Sequence, residues 1–342
     1  MDNQDFSKNK ILFITLAVII VLLEVMGAFD LRNVPYSGFL TDLNNTIIRV
    51  ESDSPAERAG FKVGGYIISD DGIDVKDSKA LSRRSRPKIG ETRIYVLEFA
   101  GETVSIDLTF SNQPTKEISL SSARALIGFF FLIFGLWAYF KVKNKSTTLL
   151  ALVGFSFGFN FIHHPYFVSY TLRTIYQSIG YIIVMFGLAF LLHFMMVFPK
   201  AKAMMAKKNI RIMLYSPAVL TILFFLFRII FQPKATSTLN IFTNILIGLF
   251  VVGYLSMAAV AIVYSYIKAT SEERATHGLN IMLFGTIIGL SPTVITTLIH
   301  KIITPKLALP GVEFYFLTFV LIPVSLALAS IKSGAITAKA TT

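Results

Sequence analysis

Residues 52–72 read SDSPAERAGFKVGGYIISDDG. Ser54 is an N-cap residue, Pro55 suits the first position of a helix, and Gly60 suits its end, so Ser54–Gly60 reads as one helical turn. Tyr66–Ser69 is a short strand, and Asp71-Gly72 is a hairpin-type turn. Working outward, Thr46–Val50, Arg93–Phe99 and Val104–Phe110 alternate as strands, with Ala100-Gly101 between the last two. Asp77–Arg84 reads as a second helix. Residues 30–118 thus read as one small β-rich domain, with enough chain for a core of its own.

The rest of the chain has a different texture. Of its 342 residues, 54% are hydrophobic and only 15% are charged. Soluble domains carry about a quarter charged residues, so most of this chain is expected to be solvated by lipid. The formal net charge is +12. The basic residues cluster between apolar runs without a nucleic-acid motif, so no nucleic-acid partner is expected. There are no cysteines, which excludes disulfides, thiolate metal sites and cysteine nucleophiles.

A crossing helix needs about 20 apolar residues. Eight stretches approach this: Ile11–Phe29, Ala123–Phe140, Thr148–Ile162, Ile175–Phe198, Ile212–Phe231, Ile241–Ile267, Leu279–Ile299 and Phe314–Ile331. The first has a long apolar core and no clear small-x-small cleavage site, so it reads as a retained anchor. Alternate gaps hold Lys8 and Lys10; Lys141, Lys143 and Lys145; Lys200, Lys202, Lys207, Lys208 and Arg211; Lys268 and Arg274; and Lys332 and Lys339. The intervening short gaps hold Arg173, Lys234, Lys301 and Lys306. By the positive-inside rule both termini are cytoplasmic and residues 30–118 lie outside the cell membrane. The expected architecture is an α-helical polytopic membrane protein of about eight spans with an inserted extra-cytoplasmic α+β domain. It comprises an anchor (1–29), the β-rich domain (30–118), a seven-span region (119–332) and a short tail (333–342).

The order strand, SPAERAG, FKVGGYI, SDDG, helix, Gly90 and two strands resembles a bacterial-type PDZ domain over about residues 34–110. Gly65 departs from the acidic residue such domains usually carry there. The resemblance implies that an extended peptide or protein C-terminus adds as a strand, its carboxylate held by the loop Tyr36-Ser37-Gly38-Phe39. The facing helix would be Asp77–Arg84, and Arg83 and Arg84, followed by Arg86 and Lys88, would favour an acidic ligand. The plainer reading is a vestigial groove on a module that only packs on the outer membrane face, with the basic run a solvated surface.

Three further stretches carry a second resemblance: His193–Pro199, Arg274–Leu279 running into Gly285–Pro292, and Leu321–Ala329. Together they resemble the multi-span sensor region of bacterial signalling proteins, such as receptor histidine kinases of the competence-pheromone type and membrane-anchored phosphatases. This implies a non-catalytic receptor or sensor without cofactor, perceiving a peptide or lipid-like signal and acting through a separate kinase or phosphatase, because no output domain follows Lys332. A membrane scaffold for envelope proteins is the alternative, and an intramembrane enzyme a third. In physical terms Pro199 stops a helix. Pro292 and Pro323 permit kinks, and Gly285 and Gly289 form a small-xxx-small face. Membrane lipid is the expected surrounding partner.

Enzyme chemistry finds little footing. No H-E-x-x-H occurs, Ser291 precedes Pro292 without a Gly-x-Ser context, and no expected span holds an aspartate. His163, His164, His300 and Glu313 fall near span ends. Adjacent histidines on a helix point about 100° apart, so no metal site is expected and these groups read as wet. Glu24 lies inside the first span, level with Arg124 at the start of the second. The expectation is that they pair and tie together the two helices flanking the β-rich domain, the plain alternative being that each reaches water alone. Asn160 and His193 read as interhelical hydrogen-bonding groups.

Overall fold

The computed structural model describes residues 3–42, 44–231, 237–296 and 312–339. It opens with helix α1 (Asn3–Asp30) and then a β-rich module of β1 (Phe39–Thr41), β2 (Ile47–Val50), α2 (Pro55–Ala59), β3 (Tyr66–Asp70), β4 (Ile73–Asp74), α3 (Ser78–Arg83), β5 (Thr92–Phe99) and β6 (Glu102–Thr109). Helices α4 (Thr115–Lys141), α5 (Lys145–Phe161), α6 (Tyr170–Val197), α7 (Lys208–Phe231), α8 (Thr238–Lys268), α9 (Ser271–Thr276) and α10 (Leu279–Val294) follow. A 3-10 run (Val312–Val320) then leads into α11 (Leu321–Lys339).

Local chemistry sets the module's elements. The Ser54 side chain accepts from the Glu57 N–H at 3.2 Å, Pro55 opens α2, and Gly60 ends it at φ 96°. Asp77 caps α3 through the Ala80 N–H at 3.0 Å. β5 and β6 pair antiparallel from Thr92↔Thr109 to Phe99↔Glu102. Ala100 (φ 53°) and Gly101 (φ 84°) close that hairpin, both left-handed as a two-residue turn of this hand requires. The sheet order is β4-β3-β5-β6, with β1 and β2 forming a separate two-stranded ribbon. Ile47, Ala56, Phe61, Ile67, Tyr95, Leu97, Leu108 and Phe110 fill the space between. Phe61 stacks on Phe39 at 4.8 Å between ring centroids and meets Tyr95 edge-on at 5.5 Å.

Among the described residues, six helices are long and apolar enough to cross a membrane: Lys10–Asn33, Thr115–Lys141, Tyr170–Val197, Lys208–Phe231, Thr238–Lys268 and Phe314–Gly334. Their outer faces remain apolar, with Ile230, Leu249 and Val260 each about two-thirds exposed or more. Such a surface is at home in lipid. This is the architecture of a helical membrane protein. Two of the eight expected stretches fall short of spanning length: α5 has 17 residues and α10 has 16. The expected span Leu279–Ile299 leaves α-helical form after Val294, and residues 297–311, with His300, Lys301 and Lys306, lie outside the described residues. So does Lys234. The side chain of Glu313 is likewise undescribed.

Close approach of backbones organises the bundle. α4 and α5 are joined by residues 142–144, where Asn144 and Thr147 form a reciprocal capping box. Glycines on both helices interlock: a Cβ on Gly154 would sit 2.5 Å from the Phe131 carbonyl, and one on Gly128 would sit 3.0 Å from that of Gly158. The expected Gly285 and Gly289 face does meet a neighbour, the last apolar segment. A Cβ on Gly285 would lie 2.3 Å from Ser325 Cβ, and one on Gly289 would lie 2.9 Å from Ile322 Cγ1. Thr318 Oγ1 adds a bond to the Gly289 carbonyl at 2.7 Å. Pro292 lies inside α10, near its end. Pro323 is the third residue of α11, close to the junction where the 3-10 run passes into α-helix. α6 ends at Val197, two residues before Pro199.

Replacing Gly285 with Leu is expected to destabilise the detergent-solubilised protein by about 1–3 kcal/mol, because the neighbouring side of α11 is backbone and Cβ rather than a flexible tip. Gly248→Ala, at a position with nothing within 4 Å, is expected to leave the thermal midpoint unchanged.

Candidate functional site

Tyr36, Ser37, Gly38 and Phe39 form a loop running directly into β1. Its conformation is held by backbone bonds to three segments of the module. Tyr36 exchanges backbone bonds with Ser111 (2.9 and 3.1 Å), the Ser37 carbonyl accepts from the Ala56 N–H (2.9 Å), and the Gly38 carbonyl accepts from the Glu51 N–H (2.8 Å). Gly38 has φ 82°, and a Cβ there would lie 2.1 Å from Ser54 Cβ, so the loop needs glycine both for its conformation and for its space. β1 pairs with β2 through Phe39↔Val50, Leu40↔Arg49 and Thr41↔Ile47. Antiparallel ladders alternate inward and outward groups, and Gly38 is committed to Glu51, so the Phe39 N–H and C=O point away from β2. β1 is therefore a sheet edge with a glycine loop at its entrance.

The two arginines assigned to this groove differ in fate. Arg83 is exposed. Arg84 is not available to a ligand: it binds the carboxylates of Asp70 (2.5 Å) and Asp71, its side chain only 17% exposed. Arg93 extends the network to Glu91 (2.8 Å) and the Ser85 carbonyl (2.9 Å). Burial opposes ionisation of Asp71, but the Ile94 N–H and Arg84 outweigh it, and its carboxyl falls below the ordinary value. An inward charge on a small module must be paired, and this requirement claimed Arg84 for the fold.

A second polar centre lies where the module meets the helices. Glu24, 7% exposed, does not pair with Arg124 as expected. Its partner is His163: Oε2 accepts from the His163 N–H and Oε1 meets Nδ1, both at 2.7 Å. One turn on, a Cβ on Gly27 would lie 2.3 Å from the His163 carbonyl oxygen, so only glycine lets the chain come this close. One turn further, Asp30 Oδ2 accepts from the Tyr166 N–H at 3.0 Å. Residues 24, 27 and 30 share a helix face through their spacing of three. The same loop grips the module. The Tyr166 hydroxyl donates to the Pro87 carbonyl at 2.9 Å, and the Arg86 guanidinium lies over the Tyr166 ring at 4.8 Å.

Beside this joint is a cavity of about 260 Å³ lined by residues including Ser121, Arg124, Asn160, His163 and His164. Arg124 is exposed, as in the plain alternative. His163 is 8% exposed rather than wet, and its Nε2 is buried without a hydrogen-bond partner. His164 Nδ1 meets the Tyr176 hydroxyl at 2.9 Å, and burial lowers the His164 pKa against the opposing pull of the Asn160 backbone and Glu24. Asn160 bonds within its own helix, to the Ser156 carbonyl at 2.8 Å, not across helices. His193 does bond across, its Nδ1 meeting the Tyr215 hydroxyl of α7 at 2.7 Å. Among the described residues no group of three His, Asp or Glu side chains could hold a metal ion.

Sequence reasoning missed Gly27, Asp30, His163 and Tyr166 as one constellation. The signals present were a carboxylate and a glycine three residues apart in an apolar run, and a His-His-Pro-Tyr loop. Opposite charge at equal depth favoured Arg124, but the fold brought a loop 139 residues away to Glu24.

No family model matches the chain, and no curated protein matches it. Among solved structures, it is similar over 24% of its length to the serine endoprotease from Yersinia pestis, at 20% identity and a TM-score of 0.22, covering 30% of that chain. It is also similar over 24% of its length to an HtrA-type protease with decapeptide, at 18% identity and a TM-score of 0.20, again covering 30% of that chain. Neither likeness assigns a fold or an activity.

A double-mutant cycle distinguishes the two partners of Glu24. Glu24→Gln with His163→Phe is expected to show a coupling of about 1–3 kcal/mol in unfolding, and Glu24→Gln with Arg124→Gln less than about 0.5 kcal/mol.

Proposed function

We propose that this protein is a non-catalytic membrane sensor whose PDZ-like module, outside the cell membrane, takes the free C-terminus of a peptide or protein along β1. The module is held to the helices so that binding is felt there. The one observation that carries the reading is the double grip of Tyr166: its hydroxyl on Pro87 of the module, its N–H on Asp30 of α1. A ligand strand on β1 would use the outward Phe39 groups, and its carboxylate the amides of the loop at Gly38. Exposed Arg83 and Lys88 then give an acidic ligand the better approach. A change in the module reaches α1 through Tyr166 and Glu24–His163 without crossing any gap wider than a hydrogen bond. Output would pass to a separate cytoplasmic kinase or phosphatase through α11, which packs against α4 and α10.

In this reading the two short helices α5 and α10 complete an eight-helix path, α5 lying almost wholly inside its neighbours. Both termini are cytoplasmic and the membrane is the cell membrane, as the lysine asymmetry supports. The chain has no cysteine, so single introduced cysteines report topology without background. Glu102→Cys in the module is expected to react with a membrane-impermeant maleimide on intact cells, and Lys143→Cys only after lysis; the reverse pattern would sink the orientation.

For ligand binding, the full chain in nanodiscs is titrated with a fluorescent peptide library displaying free C-termini. A selected peptide is expected to bind about 10–100-fold more tightly than its C-terminal amide, the size of one charged hydrogen-bonded contact. Gly38→Val abolishes binding, and Arg83→Glu weakens binding of acidic peptides while leaving the fold intact. Bound peptide slows hydrogen exchange in residues 163–167. Equal binding of acid and amide would overturn the groove assignment, and tight binding with no change at residues 163–167 would replace the sensor by a membrane scaffold.

A further inference from the structure

At the end of the bundle away from the module, two cavities lie side by side and share Lys202 and Tyr264 in their walls. The larger, about 780 Å³, lies between α6, α7, α8 and the 3-10 turn Ala203–Ala206. Met196, Met204, Met205, Met213 and Met257 supply five unbranched, polarisable side chains to its wall. Met213 is 66% exposed and neighbouring Val260 is 68% exposed, so the cavity opens sideways onto the surface that faces lipid. Pro217 lies within α7 at the same level, where it contributes no N–H to the helix ladder.

The smaller cavity, about 190 Å³, shares Lys202 and Tyr264 with the first. Its charged lining consists of Lys200, Lys202, Lys268 and Glu273. Glu273 is occupied on both oxygens, by Lys200 Nζ at 2.7 Å and by the Thr270 N–H at 3.0 Å. Lys202 Nζ gives two of its three N–H bonds to the Met195 carbonyl (2.9 Å) and Ser265 Oγ (3.0 Å), which leaves one directed to other acceptors. Lys268, the last residue of α8, is exposed. His277 bonds Ser333 Oγ at 2.9 Å, and burial lowers its pKa, so it adds no full charge near neutrality. Three lysines against one carboxylate leave an excess of two positive charges, held by Lys202 and Lys268.

An apolar chamber open to lipid, with two ammonium groups at its end that no carboxylate neutralises, has the chemistry of an amphiphile site. We propose that this double cavity binds one anionic phospholipid, with its acyl chain among the methionines and its phosphate between Lys202 and Lys268. Charge complementarity selects the occupant. A zwitterionic lipid fills the chamber equally well but brings a third cation toward the two lysines, and a free phosphate uses only the polar end. The site lies at the opposite end of the helices from the module and does not depend on the sensor reading.

The test uses the full chain, delipidated in detergent and examined by native mass spectrometry. The probes are phosphatidylglycerol, phosphatidylcholine with identical chains, and glycerol phosphate as the headgroup without chains. Phosphatidylglycerol is expected to be retained at least about tenfold better than phosphatidylcholine. Lys268→Ala, at an exposed position, reduces that retention about fivefold, the usual weight of one lysine at an anionic membrane surface. Met257→Trp, which fills the chamber from its half-exposed rim, reduces retention of both lipids. Equal retention of the two lipids, indifference to Lys268→Ala, or displacement of the lipid by glycerol phosphate would each overturn the assignment.

Discussion

Helices in lipid gain nothing from hiding apolar surface from water, so what brings them together is close packing of backbone on backbone. Much of this structure follows from where glycine allows that approach. Gly128, Gly135, Gly154 and Gly158 mesh α4 with α5, and Gly285 and Gly289 seat α10 on α11 and the 3-10 run before it. Gly27 performs the same task at the most consequential place. Without a side chain there, α1 meets the His163 backbone directly, and only at that separation can the Glu24 carboxylate receive both the N–H and the ring nitrogen of His163. Packing and polar chemistry are one constraint here, since a carboxylate at that depth must be paired.

The joint between module and helices inherits its specificity from this arrangement. A surface ion pair between long side chains contributes little. A buried carboxylate bonded to a backbone N–H and an imidazole is held in place, because each partner would otherwise lie unpaired. Asp30, one turn beyond Gly27 on the same face of α1, fixes the same loop through Tyr166, whose hydroxyl reaches Pro87 of the module. The loop of residues 162–169, distant from both in the chain, thus fastens the module to the helix that precedes it. Inside the module, the Arg84–Asp70–Asp71 and Arg93–Glu91 pairs play the corresponding role: charges that face inward are consumed by the fold, and Arg83 and Lys88 are left exposed.

The two ends of the helices differ in kind. The module end joins α1, the 162–169 loop and the module by hydrogen bonds beside a cavity of about 260 Å³, whereas the far end holds a larger, methionine-lined space bounded by lysines. Methionine side chains are unbranched and adaptable, and lysine offers a point charge on a flexible stem.

Local order was legible in the sequence. The cap of α2 by Ser54, its end at Gly60, the turns at Asp71-Gly72 and Ala100-Gly101, and six of the eight apolar stretches as helices of spanning length lie where their residues place them, because caps, left-handed turns and hydropathy are decided within a few neighbours. The small-residue face of α10 was legible as a face, though not as a seat for Ser325 and Ile322. The length of α5 and α10, the place of Pro323 at a helix start, and the burial of Arg84 were not, since each depends on what packs alongside. The partner of Glu24 shows the division most clearly. Sequence determined that a carboxylate lay within an apolar helix and needed a partner. Charge and depth pointed to Arg124, but a partner is chosen by contact distance, and that distance was decided by Gly27 admitting a loop 139 residues away, which only the tertiary structure brings to it.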